Sequence, residues 1–285
     1  MSLGRIIYAD QRVFIGGGEV AAVQSCTTAA DLGYEPLFVA GTGFYDNAVV
    51  KPPSATINVS ALITSEDDLI AQNILYPMTG FYAYKTVIES DYHRLAFSAA
   101  RIKSYVISCA VGNLPKIDFG MEIVGDWGGS GSVNITEKDY SSVEVSRPQD
   151  ITIEGFVLGD SNRVQSVDYS LSINYNNRSR VGRMFFDDRE VQHPIILTTK
   201  FSMEIDDFVP EMVQELICGN PELDLLFTLQ KCGTGPVIRQ FASPNARLTD
   251  VSMKGEIAGN MTAEVSYESI INDTGSLSDI LIGDI

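Results

Sequence analysis

The sequence predicts a mainly β protein: two tandem, similar β-sandwich or barrel domains, each with one flanking α-helix. Three observations lead there. A unit of about 140 residues is present twice, much longer than a solenoid repeat. Each copy consists chiefly of short runs in which apolar and polar residues alternate, the period of a half-buried strand. Each copy also contains one stretch with helix-start chemistry.

The duplication is direct. Residues 23–53, VQSCTTAADLGYEPLFVAGTGFYDNAVVKPP, align without a gap on 164–194, VQSVDYSLSINYNNRSRVGRMFFDDREVQHP. Nine of these 31 positions are identical, among them Tyr34/Tyr175, Gly41/Gly182, Phe44/Phe185 and Asp46/Asp187. Unrelated segments of average composition match at roughly two. The match resumes as ARIKSYVISCAVGN (100–113) against ARLTDVSMKGEIAGN (246–260). Each copy is long enough to bury a core of its own. The expected domains are 1–125 and 149–285, the second including a C-terminal tail. A Gly/Ser-rich linker over 126–148 joins them.

The elements follow in order. The first copy opens with short strand-like runs around the glycine triplet 16–18. That triplet lacks the following Lys and helix of a phosphate cradle and reads as a turn or bulge. In SATINVSALI (54–63), Ile57, Val59 and Ala61 alternate with polar neighbours. The counterpart ILTTKFSMEI (196–205) places Phe201, Met203 and Ile205 on one face. Helices are expected over 65–75, with Ser65 as N-cap and carboxylates in the first turn, and over 206–217, with Asp206 as cap and Pro210 early. Closing strands follow each. The segments 33–53 and 174–194 are too long and too rich in Phe and Tyr for idle loops, and read as hairpins or as ordered loops packed within their own domain.

Composition narrows the function. The net charge is −17, divided as −6 over 1–142 and −11 over 143–285. Sequence-reading of nucleic acid needs a basic face for the phosphates, so this balance argues against it. Mean hydropathy is +0.06, and no apolar run approaches the roughly 18 residues of a membrane span. The first residues, MSLGRIIYADQRV, lack the apolar core and cleavage site of a signal peptide. The five Asn-x-Ser/Thr triplets are therefore taken as accidental. Cys26, Cys109, Cys218 and Cys232 show no metal or redox spacing and read as idle thiols. No nucleophile elbow, phosphate loop or His-Glu-x-x-His is present, and there are only two histidines, His93 and His193. The carboxylates of SEDD (65–68) are helix-start residues rather than a metal pair. No enzyme activity, metal or cofactor is expected.

The order of parts resembles the bacteriophage tail tube family in its duplicated, two-domain form. The parts are a strand pair around VQS, a hairpin-like segment ending in FYDN or FFDD, the PPSATINVS strand, the TSEDDLIAQNIL segment and the closing strands. The resemblance covers nearly the whole chain twice and rests on element order, without a diagnostic motif. It implies a structural virion protein of the tail, made and assembled in the host cytoplasm. Strands of neighbouring domains would join into one inner barrel, and three two-domain chains would form a ring imitating a hexamer. Stacked rings would conduct DNA without binding it specifically. The implied partners are further copies of the chain, tape-measure, baseplate and terminator proteins, and a sheath where there is one.

On this reading Asp46, Asp187, Asp188 and Glu190 are candidates for the lumen wall, which should repel phosphate. Arg178, Arg180, Arg183, Phe44 and Phe185 are candidates for contacts between rings. A tube-like baseplate or neck component, such as an initiator or hub, is the nearest alternative. A duplicated host- or carbohydrate-binding sandwich comes next, although the sole Trp127 sits in the expected linker.

Overall fold

The structure, a computed structural model, describes residues 8–38, 45–49, 52–64, 74–86, 91–129, 132–133, 135, 151–155, 164–178, 180–181, 188–205, 222–230, 237–254, 261–272 and 281–282. It is nearly all β. The first half contributes β1 (Tyr8–Ile15), β2 (Gly18–Glu19), β3 (Val23–Asp31), β4 (Tyr34–Phe38), β5 (Tyr45–Val49), β6 (Ser54–Leu62), β7 (Met78–Thr86), β8 (Tyr92–Ala110), β9 (Lys116–Ile123), β10 (Trp127–Gly128) and β11 (Ser132–Val133). The second contributes β12 (Ile151–Glu154), β13 (Val164–Arg178), β14 (Asp188–Ile205), β15 (Leu223–Gln230), β16 (Val237–Lys254), β17 (Met261–Ile271) and β18 (Leu281–Ile282).

Strand β6 shows why these residues form sheet. Ala55, Ile57, Val59 and Ala61 are buried while Ser54, Thr56, Asn58 and Ser60 face outward, so the period of two puts every apolar side chain on one face. In β14, Leu197, Thr199, Phe201 and Met203 form the buried row. The one hydroxyl there is satisfied, because Thr199 Oγ1 and Ser243 Oγ lie 2.7 Å apart in a buried hydrogen bond.

The duplication is visible in the topology. The first half pairs in the order β1-β7-β8-β9-β6-β3, and the second in the order β12-β15-β16-β17-β14-β13. Irregularities coincide as well. The register shift at Val23/Ser25 reappears at Val164/Ser166, that at Met78/Gly80 at Leu223/Leu225, and that at Ile102/Ser104 at Leu248/Asp250. Ala99 and Asn245 both have φ of 51°. Residues of β8 up to Ala100 pair with β7 and those from Ala100 onward with β9, and β16 likewise passes from β15 at Ala246 to β17 at Arg247. Each long strand therefore belongs to two layers and folds its sheet back over one core, a corner of the kind that bends and bulges make. In the first half Val13 and Ile15 pack with Ile57, Val59, Tyr105 and Met121. In the second, Tyr169 meets Phe241 at 5.6 Å between ring centroids, and Phe201 meets Tyr267 edge-on at 6.0 Å. Burying each such side chain contributes about 1.5–3 kcal/mol.

The halves are joined through β8 and β13, which pair antiparallel over Ser104–Ala110 and Ser166–Ser172. One antiparallel sheet of 16 strands thus runs through both halves, with β4 and β5 as a separate two-stranded sheet. The stretch expected as a linker contains β10 and β11, which pair with β8 at Trp127↔Phe97 and Ser132↔His93. Both long segments form hairpins in part: β4 pairs with β5, and 174–178 pair with 188–192. Cys26 and Cys109 are free thiols, and burial pushes both up to about 12.

The flanking helices are not borne out, since no helix occurs among the described residues. Residues 65–73 and 206–217 lie outside them. Ile74 and Leu75, the end of the first expected helix, form a turn. Pro77 disfavours helical backbone at Tyr76, the residue before it.

The shared left-handed corner yields a stability prediction. Ala99 holds a conformation that costs an L-residue about 1–2 kcal/mol, whereas Asn tolerates it. Ala99→Gly should raise the free energy of urea unfolding by about 0.5–1 kcal/mol after the entropy cost of glycine. Asn245→Gly should change it less. Equal effects at the two sites would show that the corner is not strained at Ala99.

Candidate functional site

The joined sheet has one broad polar face. Across β3, β6, β9, β8 and β13 the aligned positions run Thr27, Asn58, Gly120, Ser104 and Ser172, and the adjacent row runs Ser25, Ser60, Asp118, Val106 and Ser170. The second row continues into β14 and β17 through Thr198 and Glu268. These positions alternate with the buried ones, so the face follows from the strand period. Packing of the row is close at its centre, where a Cβ on Gly120 would lie 2.7 Å from Ser104 Oγ and 2.9 Å from Asn58 Oδ1. A shallow, open cleft of about 230 Å³ lies over these hydroxyls and amides. Among the described residues no group of three His, Cys, Asp or Glu could hold a metal ion.

Charges on this face are largely paired. Lys116 Nζ is 3.1 Å from Asp118, and Lys254 Nζ donates to Glu264 at 2.7 Å. The Lys254 hydrogen bond and charge hold the Glu264 carboxyl below its ordinary value. Asp168 stands directly across from Lys200. Exposed pairs of this kind, screened by solvent, add little to stability. Their consequence is electrostatic: the cations on the face are set beside carboxylates.

The junction between the halves is anchored by Tyr175, just beyond Ser172, where β13 leaves β8. Its hydroxyl donates to the Ile102 carbonyl at 2.8 Å. The Arg101 and Arg189 guanidinium carbons lie 5.5 and 5.4 Å from its ring centroid, close enough for cation–π attraction. Arg189 is buried, donates from Nε to Asn177 Oδ1, and sits with Nη2 2.8 Å from Glu122 as an ion pair without an aligned hydrogen bond. The clamp thus uses Arg101, Ile102 and Glu122 from one half and Tyr175, Asn177 and Arg189 from the other. Backbone pairing sets the direction of the seam, and the clamp fixes its position.

Of the sequence-derived candidates, Arg178 and Glu190 are brought together, with Nη2 2.7 Å from Oε2 in an exposed pair across β13 and β14. The sequence offers one for ring contacts and the other for a lumen wall, and the structure makes them partners. Arg180 is exposed. Asp46 stands in β5 opposite Leu37, and Asp188 in β14 opposite Arg178, but their side chains lie outside the described residues. So do Phe44, Arg183, Phe185 and Asp187. Sequence reasoning missed the clamp and the sheet face. Two signals pointed to the clamp, because Tyr34/Tyr175 and Arg101/Arg247 are identities within the duplication.

The clamp should be expensive to break. Arg189→Ala removes the buried guanidinium and leaves Glu122 with Lys103, at 3.5 Å, as its remaining cation, a loss of about 2 kcal/mol, and Tyr175→Ala should cost about 3 kcal/mol. Both are measured by chemical denaturation, and a loss under 1 kcal/mol would remove the clamp from the seam. Burial also pushes Tyr175 and Tyr267 up to about 12. A phenol raised in the folded state stays protonated there while the unfolded chain ionises near 10. Stability is therefore full below pH 10 and falls as pH rises towards 12. Absorbance at alkaline pH should show these tyrosines ionising together with unfolding.

No family model matches the chain, and no curated protein matches it. Among solved structures it is similar to a chain of the tail of an empty GTA particle, obtained by helical refinement with C6 symmetry. The TM-score is 0.32 and the identity 11%, over 46% of this chain and all of the other.

Proposed function

We propose that this protein is a structural subunit that polymerises through its sheet edges into closed, stackable rings: a tail tube subunit whose inner wall is the polar sheet face. One observation carries the reading. Within the chain, β13 of the second half seats on the outer edge of β8 in the first. The counterparts of those two edges, β3 and the 250–254 end of β16, have no partner strand on their outer sides among the described residues. A chain that ends in two complementary edges adds copies head to tail, and the addition stops only when a ring closes. Open edges invite uncontrolled pairing, and closure removes them.

Three chains of two units would give a ring of six. The family resemblance of the element order supports that number, and with it a virion location and DNA as the cargo. The polar face suits a conduit: small hydroxyls offer a phosphate little to grip, the cations are set beside carboxylates, and the chain as a whole carries −17. A basic wall would bind duplex strongly and arrest it.

Negative-stain microscopy of the purified chain should show rings or tubes. A monomer that stays monomeric at high concentration would sink the reading. Rings should leave duplex DNA unretarded in a gel at physiological salt. Asp118→Lys with Glu264→Lys should still form rings but retard DNA in a salt-sensitive way. Tight DNA binding by the unmodified protein would exclude a conduit role for this face.

A further inference from the structure

We infer that the seam inside the chain is built again between chains, with β3 of one copy antiparallel to the 250–254 edge of β16 in the next, and Tyr34 taking the part of Tyr175. This rests on the self-assembly proposed above and specifies the surface, its register and its anchor.

The register follows from correspondences already visible in the fold. Position 25 matches 166, and position 104 matches 250, each fixed by a coincident register shift. Carrying the β8–β13 pairing across, Thr27 faces Lys254, Thr28 faces Met253, Ala29 faces Ser252, Ala30 faces Val251 and Asp31 faces Asp250.

The receiving groups of the clamp are kept. Arg101, Ile102 and Glu122 correspond to Arg247, Leu248 and Glu268, so the cation, the backbone acceptor and the carboxylate recur in their places. Arg247 is exposed, and Glu222 holds its guanidinium. Tyr34 is the aligned counterpart of Tyr175 and opens β4 just beyond β3.

Burial points the same way. Tyr169, Leu171 and Ile173, on the strand at the internal seam, are at most 1% exposed, whereas their counterparts Thr28, Ala30 and Leu32 are exposed, Leu32 at 54%. Tyr105 and Ile107 are fully buried, but Val251 and Met253 are only half-buried. The first half thus presents bare the row that the second half hides, and a second copy of this chain is the object whose edge already has the matching shape.

The two seams differ in ways that make the outer one weaker. Asn47, which pairs with Pro36 as Arg189 pairs with Asn177, stands where the inner seam has Arg189. Where Ser172 faces Ser104 inside the chain, Asp31 would face Asp250 between chains, a like-charge pair that opposes pairing. Subunits would therefore form without premature polymerisation and join as concentration rises.

The test compares the two tyrosines and probes the register. Tyr34→Ala should raise the concentration needed for ring formation at least tenfold, by sedimentation velocity, and leave unfolding of the unassembled chain unchanged. Tyr175→Ala should lower unfolding stability itself. Ala29→Cys with Ser252→Cys should give, on oxidation, an interchain disulfide whose peptides are identified by mass spectrometry. The shifted pair Thr27→Cys with Asp250→Cys should not. Asp250→Lys, placed opposite Asp31, should lower the assembly concentration about two- to fivefold. Rings that form without the 29–252 link, are indifferent to Tyr34→Ala, or are weakened by Asp250→Lys would overturn this seam and leave self-assembly standing. A wild-type chain that forms no oligomer would overturn the underlying reading as well.

Discussion

The pairing of β13 with β8 is the interaction on which the rest of the molecule depends. A strand edge exposes a row of N–H and C=O groups that must find partners, and here each half answers that demand for the other. Seven residues of β13 complete the outer side of β8. Along the seam Tyr105, Ile107 and Cys109 of one half and Tyr169 and Leu171 of the other are all buried. Without that contact the halves would each carry an open edge beside a half-covered apolar row. With it, one sheet crosses the duplication and the two cores merge into a single cluster.

The same constraint separates the two faces of the sheet. Folding back at Ala99 and Asn245 buries one side of β8 and β16 and leaves the other side to solvent. A side that cannot reach a core must be polar, and it is built of serine, threonine, glycine and charges held in pairs. In the proposed assembly, the edges left open after folding would set how copies meet, and the polar face would be the surface that the ring encloses. The clamp at Tyr175 adds position to a backbone ladder that alone could slip along the strand.

Much of the fold was legible from residues. The identities Val23/Val164, Gln24/Gln165 and Ser25/Ser166 mark equivalent strand starts, and even the register shift falls at the same place in each. The alternation of Ile57, Val59 and Ala61 assigned the buried face of β6 correctly. The helix reading was weaker because carboxylates and a polar cap are compatible with several local structures. Site residues were harder still. Arg178 and Glu190 lie 12 apart in sequence, so nothing local shows that a hairpin places them in contact.

What the sequence determined by itself is the repeated unit, its strands and their buried faces, since these depend on side-chain period and on residues close along the chain. It determined the sign of the charge as well. Only the tertiary structure decided which edges meet, because pairing between strands some 60 residues apart depends on which neighbours have already been satisfied. Tyr34 and Tyr175 illustrate the difference: they are the same residue in the same local pattern. Tyr175 becomes an anchor because folding brings Arg101, Arg189 and the Ile102 carbonyl around it, and only a surface outside its own strand can supply those groups.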